Sequence, residues 1–166
     1  MLYGITGRKF GILASALCFA ATLLAIKTPK DAAPNFNATT LDGQKFTNES
    51  VKGKVVLLQF WATWCKFCRG DQGAVDDIAK EFANQDLIVL AVDVNESKKK
   101  VEKYLEESPR ACKIVLTEKT NLAAMFAATS FPLYVVIDRE GNIAGTQNGA
   151  AGEDALRRLL AKAGLK

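Results

Sequence analysis

Three continuous apolar runs, separated by segments with helical periodicity, constrain the fold of this chain more than any other feature. The runs are residues 55–60 (VVLLQF), 87–92 (LIVLAV) and 133–137 (LYVVI). Such runs, rich in β-branched and other apolar residues, are typical of strands that are buried on both faces of a sheet. Residues 65–82 and 153–163 instead repeat their apolar side chains at helical spacing. Strands that alternate with helices predict an α/β fold with right-handed parallel connections.

Shorter segments complete the predicted sheet. The Asp42-Gly43 turn signal predicts a hairpin whose first strand covers residues 35–39. The other predicted elements are a helix capped by Asn95 or Ser97, a strand at residues 114–116, a helix at 122–127 and a strand at 142–146. The last of these strands follows a turn at residues 138–141 and adds antiparallel pairing. We therefore expect one mixed central sheet flanked by helices.

The N-terminal segment is predicted to enter a membrane. Residues 10–26 contain no charged side chain, whereas Arg8 and Lys9 precede them and Lys27 follows. As a helix, this segment extends about 25 Å, just short of a typical hydrocarbon core. A cleaved signal peptide is the alternative, but Leu23 places a bulky residue where signal cleavage requires a small one.

We therefore predict two parts of the chain. Residues 1–30 form an uncleaved signal anchor, with the transmembrane helix at about 10–26 and the N-terminus in the cytoplasm. Residues 31–166 form a single extracytoplasmic (periplasmic) domain, which would be secreted or periplasmic if the anchor were cleaved.

Composition excludes several classes of function. The chain has 22 Lys and Arg against 18 Asp and Glu, but residues 1–30 hold four of the bases and no acid, so the remainder is balanced. A nucleic-acid partner is therefore not expected, because it requires a basic face on the folded domain. Histidine is absent, which excludes Ser-His-Asp catalysis and every metal site with a histidine ligand.

Two cysteines three positions apart carry the predicted chemistry. Cys65 and Cys68 lie where the first apolar run ends and a helix begins. The free N–H groups and partial positive charge of a helix N-terminus stabilise a thiolate, and Lys66 adds positive charge. Cys68 lies one turn below Cys65, so the pair can cycle between dithiol and disulfide. The alternatives are a structural disulfide, half of a zinc site, or a copper(I) chaperone, although Cys112 and Cys18 are the only further thiols.

The motifs around this pair resemble those of the membrane-anchored TlpA/ResA-type thioredoxin-like proteins. The resemblance covers most of the chain from Ala33 to Leu165, and its motifs are APNF (33–36), LDG (41–43), GKVV (53–56), FWATWC (60–65), FP (131–132) and VIDREGNI (136–143). It implies a thioredoxin-like fold and an extracytoplasmic thiol-disulfide oxidoreductase that reduces disulfides in partner proteins. Such partners belong to cytochrome c maturation or to copper sites. A dithiol oxidase on the same scaffold is a further alternative.

The resemblance also implies roles for individual residues. Cys65 matches the exposed nucleophile and Cys68 the resolving thiol. Asp71 matches a carboxylate that could accept the proton of Cys68, the alternative being an exposed side chain in the first helical turn. Pro132 matches a proline preceded by a cis peptide bond, which would place the Phe131 backbone beside Cys65 to pair with an extended substrate.

Three residues next to the cysteines, Trp64, Lys66 and Phe67, are expected to contact the substrate. No metal and no organic cofactor is expected, because the Cys65–Cys68 disulfide itself carries the electrons. These electrons would come from a membrane-bound or soluble thiol donor.

The chain also departs from the motifs of these families. Lys66-Phe67 stands between the cysteines, where many members have proline before the second cysteine, and this dipeptide tunes the redox potential. Gln59 occupies the position of the buried acid of thioredoxins and cannot titrate. Cys112 is interpreted as a buried apolar residue, with a third redox thiol as the alternative.

Overall fold

A computed structural model of the chain describes residue 1 and residues 31–165. The elements are β1 (Asn37–Thr40), β2 (Lys45–Thr47), β3 (Val55–Trp61), α1 (Lys66–Glu81), β4 (Leu87–Asp93), α2 (Lys98–Glu107), β5 (Lys113–Thr120), α3 (Leu122–Met125), β6 (Leu133–Ile137), β7 (Ile143–Asn148) and α4 (Gly152–Ala161).

Seven strands form one mixed sheet in the order β2-β1-β5-β4-β3-β6-β7. The two central pairs, β3 with β4 and β4 with β5, are parallel, and the remaining neighbours are antiparallel. Every residue of β3 is buried, because strands lie on both sides of it and other elements cover both faces. The apolar runs therefore occupy the middle of the sheet, as a strand without a solvent face requires.

The helices divide between the two faces of the sheet. One face packs against α1, α2 and α4, with Leu57 and Val136 of the sheet in the same core as Val75 of α1. The opposite face packs against α3 and the segment that includes Phe36. The crossovers β3-α1-β4 and β4-α2-β5 move in one direction across the sheet, so right-handed connections put α1 and α2 on the same face.

The structure confirms the predicted order of elements and the mixed sheet, with changes at several ends. The strand expected at residues 114–116 is longer and spans Lys113–Thr120, because it pairs with β1 as far as Thr120, the register partner of Ala38. The helix expected at 122–127 ends at Met125. Ser97 is the N-cap of α2, but its side chain makes no capping hydrogen bond.

The predicted transmembrane helix at residues 10–26 lies outside the described residues. Among the residues that are described, no helix is both long enough and apolar enough to span a bilayer.

Candidate active site

The two cysteines lie at the junction between the central strand and its helix. Strand β3 ends at Trp61, and a tight turn follows in which the Cys65 N–H donates to the carbonyl of Ala62 at 3.1 Å. Cys65 is the N-cap of α1, and its Sγ accepts a hydrogen bond from the Cys68 N–H at 3.1 Å. The two Sγ atoms are joined in a disulfide of 2.06 Å. The sulfur of Cys65, the predicted nucleophile, therefore lies against a free N–H group at the start of the helix.

Both cysteines are buried in the disulfide form. Cys65 is 5% exposed, so the exposed nucleophile that the resemblance implied is not found in this oxidation state. The reason is local, because Sγ of Cys65 points along the helix toward the Cys68 N–H and the Cys68 sulfur. Its neighbours are instead prominent on the surface: Trp64 is 61% exposed and Phe67 is 65% exposed. Large apolar side chains with this exposure are typical of contact surfaces.

The segment before β6 borders these aromatic rings. The peptide bond between Phe131 and Pro132 is cis, as the resemblance implied. The Phe131 ring contacts the Trp64 ring edge to face, with 6.1 Å between their centroids. The structure thus brings together Trp64 and Phe131, which are far apart in the sequence, beside the cysteine turn. Lys66 and Phe67, the two residues between the cysteines, are exposed in the first turn of α1.

Asp71 occupies a different environment from the exposed one that was considered for it. The residue is 6% exposed and lies beyond the first turn of α1, so that alternative is wrong. Its carboxylate accepts hydrogen bonds from Tyr134 Oη at 2.9 Å, from the Ala151 N–H at 2.7 Å and from the Gly152 N–H at 3.1 Å. The last two groups begin α4, whose own N-cap side chain is an alanine and cannot accept a hydrogen bond. Asp71 therefore caps a helix that lies 80 residues away in the chain.

A buried polar chain continues from Tyr134 beneath the active-site helix. Gln59 Nε2 donates to Tyr134 Oη at 3.3 Å, and Gln59 Oε1 accepts from Arg110 Nη2 at 3.1 Å. The Arg110 Nε donates to both carboxylate oxygens of Asp76 at 3.0 Å. An arginine can only donate, so the amide of Gln59 is oriented, and Tyr134 must donate its one proton to Asp71. Gln59, at the position where thioredoxins have a buried acid, is thus a neutral residue that links the Tyr134–Asp71 pair to the Arg110–Asp76 pair.

The turn that precedes Cys65 has a second anchor that sequence reasoning missed. The N–H of Thr63 donates to Glu96 Oε2 at 2.5 Å and its hydroxyl to Oε1 at 2.7 Å. Lys100 pairs with the same carboxylate at 2.5 Å, and the Glu96 N–H donates to Asp93 Oδ1 at 3.2 Å. A polar residue directly after the apolar run of β4, at the carboxyl edge of the sheet, is the signal that could have indicated this cluster.

The remaining cysteine of the described region takes part in no disulfide. Cys112 is a free thiol and is buried. Burial raises its pKa to about 12, which keeps it protonated at neutral pH. This confirms the predicted burial of Cys112, whereas its alternative role as a third redox thiol stays a prediction. Within residues 31–165, no group of three or more potential ligands is arranged to hold a metal ion.

The arrangement defines a class of protein. A mixed sheet whose central strand leads into a disulfide at a helix N-terminus, beside a cis-proline segment, is that of a thioredoxin-like thiol-disulfide oxidoreductase. The chain belongs to the AhpC/TSA family, whose model matches residues 29–146.

Individual relatives agree with this assignment and confirm the resemblance to ResA-type proteins. The chain is 33% identical over 131 residues to the thioredoxin-like protein YneN of Bacillus subtilis, covering 77% of this chain and 76% of the relative. It is 25% identical over 130 residues to the thiol-disulfide oxidoreductase ResA of Bacillus cereus, covering 78% and 75%. A thiol:disulfide interchange protein of the thioredoxin family from Chlorobium tepidum matches in structure with a TM-score of 0.71 and 27% identity, covering 82% of this chain and 98% of the other. Enzymes of this kind use a redox-active disulfide in place of a cofactor.

Proposed function

We propose that this protein reduces disulfides in partner proteins through Cys65 and Cys68. In the reduced enzyme, the Cys65 thiolate attacks one sulfur of the substrate disulfide and displaces the other as a thiolate, which forms a mixed disulfide. Cys68 then loses its proton and attacks the Cys65 sulfur. The substrate leaves as a dithiol, and two electrons have moved from the enzyme to the substrate.

The observation that carries this proposal is the position of Cys65 at the N-cap of α1. Its sulfur accepts the Cys68 N–H at 3.1 Å, and a thiolate at the same place would keep that bond in a stronger, charge-assisted form. The partial positive charge of the helix N-terminus acts in the same direction. Cys65 is therefore the nucleophile, and the more deeply buried Cys68 is the resolving thiol.

A protein substrate would bind across the exposed aromatic side chains. Trp64 and Phe67 flank the disulfide, and the Phe131-Pro132 segment borders it on the side of β6. An extended substrate strand beside Phe131 would gain main-chain hydrogen bonds, while the rings cover its side chains. Lys66, also exposed, would favour a substrate thiolate as it leaves.

Asp71 is the proposed acceptor of the Cys68 proton. It follows Cys68 by three residues on α1, so the two side chains lie on one face of the helix. A carboxylate has about four acceptor positions, and three of them are occupied by Tyr134 and the start of α4. The fourth position is the one that we assign to the proton of Cys68.

We place the enzyme outside the cytoplasm, held by residues 10–26 as a signal anchor, with residues 31–166 as its redox domain. The uncharged N-terminal run and the ResA-type resemblance support this location. The substrates are proteins with disulfides in cytochrome c maturation or at copper sites, and a membrane-bound or soluble thiol donor would return the enzyme to the dithiol form.

The experiment measures the reduction potential of Cys65–Cys68 and the activity of cysteine variants in the full-length protein in detergent. A potential near that of thioredoxin, about −270 mV, is expected for a reductase, whereas a value near −120 mV would show an oxidase. Cys65→Ser should abolish turnover, and Cys68→Ser should accumulate mixed disulfides with substrate. Cys112→Ser is the matched control and should retain activity. Full activity of Cys65→Ser would refute the mechanism.

A further inference from the structure

Two carboxyl groups meet beneath the turn that carries Cys65. Asp93, the last residue of β4, is completely buried, and the side chain of Glu96 is only 3% exposed. The Glu96 N–H donates to Asp93 Oδ1, so the two residues lie in one short loop. Two ionised carboxylates at this depth would repel each other without solvent to screen them.

Glu96 behaves as the charged member of the pair. Its carboxylate accepts two hydrogen bonds from Thr63 and an ion pair from Lys100. The Lys100 ion pair and the hydrogen bonds of Glu96, which include those from Thr63, hold the pKa of Glu96 below its usual range, against the effect of burial. The groups from Thr63 and Lys100 that contact the Glu96 carboxylate are thus all donors.

Asp93 behaves as the neutral member. Its Oδ2 is one of two buried side-chain nitrogen or oxygen atoms among the described residues that have no hydrogen-bond partner, and the other is the indole nitrogen of Trp61. Trp61 is the register partner of Asp93 on β3, and Leu116 is its partner on β5. Burial, with the nearby carboxylate of Glu96 acting in the same direction, raises the pKa of Asp93 to about 8. A proton on Oδ2 would give this atom a bond, because Asp93 could then donate to Glu96.

We propose that Asp93 and Glu96 share one proton and together position the redox centre, with neutral Asp93 donating to the Glu96 carboxylate that holds Thr63. Thr63 lies two residues before Cys65, and the turn between them is closed by the bond from the Cys65 N–H to Ala62. Fixing Thr63 therefore fixes the approach of the Cys65 sulfur to the helix N-terminus. Both residues are positioning residues, and the redox part of this inference rests on the function proposed above.

The first test asks whether Asp93 carries the proton. It compares Asp93→Asn with wild type in the oxidised full-length protein, where neither active-site thiol titrates. Native Asp93 holds a proton that the unfolded chain releases. Its contribution to stability is therefore full at low pH, falls once the pH exceeds the pKa of the unfolded chain, and is lost above about pH 8. Asparagine keeps a donor and does not titrate. The ratio of the folding constants, Asp93→Asn over wild type, should therefore rise by up to about tenfold per pH unit from about pH 5 to 8.

The outcomes of this first test are distinct. The control Glu102→Gln, a half-exposed carboxylate on α2, should give a ratio that stays flat with pH. A flat ratio for Asp93→Asn as well would overturn the proposal, because it would show Asp93 ionised in the folded protein. In a Trp64→Phe background, the fluorescence of Trp61 should change with the ionisation of Asp93, near pH 8, when Asp93 is present. It should show no such change when Asp93→Asn is added.

The second test asks whether the pair acts on the disulfide. Thr63→Val removes the hydroxyl bond to Glu96, keeps the backbone bond, and changes neither charge nor shape substantially. The equilibrium with glutathione should shift toward the enzyme disulfide by about fivefold, because the thiolate of Cys65 loses part of its helix-end stabilisation. Thr146→Val on the edge strand β7 is the matched control and should leave the equilibrium unchanged. An unchanged equilibrium in Thr63→Val would refute the positioning role.

The two proposals fail in different ways. If Cys65→Ser remained active, the proposed function would fail, while the titration of Asp93 would stand because it uses no substrate. If the cysteine variants behave as expected and Thr63→Val does not shift the equilibrium, only the positioning role is lost.

Discussion

The most demanding prediction concerns Asp71, which the structure gives a role in stability besides its proposed role with Cys68. Replacing it with alanine removes the acceptor for Tyr134 Oη and for the Ala151 and Gly152 N–H groups. Two of these donors begin α4, so the substitution removes the cap of that helix together with a buried side-chain bond.

The expected loss follows from these three contacts. A missing N-cap costs about 1–2 kcal/mol, and a bond from a hydroxyl to a carboxylate contributes about 1.5 kcal/mol. Water can reach the partly exposed start of α4, but it cannot reach the buried ring of Tyr134, so these contributions are not fully recovered. The free energy of unfolding should fall by about 3 kcal/mol, which lowers the urea midpoint by about 1.5 M.

The assay is urea unfolding of the oxidised protein at pH 7, followed by far-ultraviolet circular dichroism. Asp77→Ala is the matched control, because Asp77 lies on the same helix, is 67% exposed and pairs only weakly with Lys80. It should cost no more than about 0.5 kcal/mol. A loss below about 1 kcal/mol in Asp71→Ala would refute the capping argument. A normal rate of mixed-disulfide resolution in the folded variant would separately remove Asp71 as the proton acceptor.

Two further predictions use the same protein. Arg110→Met should lower the free energy of unfolding by about 3–5 kcal/mol, because the carboxylate of Asp76 stays buried without its partner. Arg157→Met, which breaks surface ion pairs with Glu81 and Glu153, should cost far less, and equal losses in urea unfolding would contradict this. In the reduced, folded protein at pH 8, iodoacetamide should label Cys65, because the start of α1 stabilises its thiolate, and should leave Cys112 unlabelled until urea is added, because burial keeps the Cys112 thiol protonated. Mass spectrometry of the peptides reports the outcome, and rapid labelling of Cys112 would show that its thiol ionises in the folded protein.

The order of elements could be predicted because it depends on local patterns. Residues 55–60 and 87–92 have no polar face, and strands of this kind can only occupy the middle of a sheet. The helix after Cys65 follows from its apolar spacing. Element ends were less well predicted: β5 extends to Thr120 because β1 pairs with it, and no local pattern in residues 117–120 indicates that partner.

Only the part of the site formed by residues close together in the sequence could be predicted. Cys65 and Cys68 are three positions apart, so one turn of helix is enough to bring their sulfurs together. The cis bond before Pro132 was expected through resemblance rather than through any physical rule for the chain. The exposure of Trp64 and the burial of Cys65 required the folded surface.

The sequence by itself determined the alternation of buried strands and amphipathic helices and the placement of a dithiol at a helix N-terminus, because these features arise from contacts within one or two turns. The tertiary structure alone decided the partners of the buried polar groups. Asp71 reaches the start of α4 across 80 residues, Arg110 reaches Gln59 across 51, and Glu96 reaches Thr63 across 33. A buried polar group is hydrogen-bonded to whichever partner the fold brings near it, and the spacing of residues along the chain does not predict which partner that is.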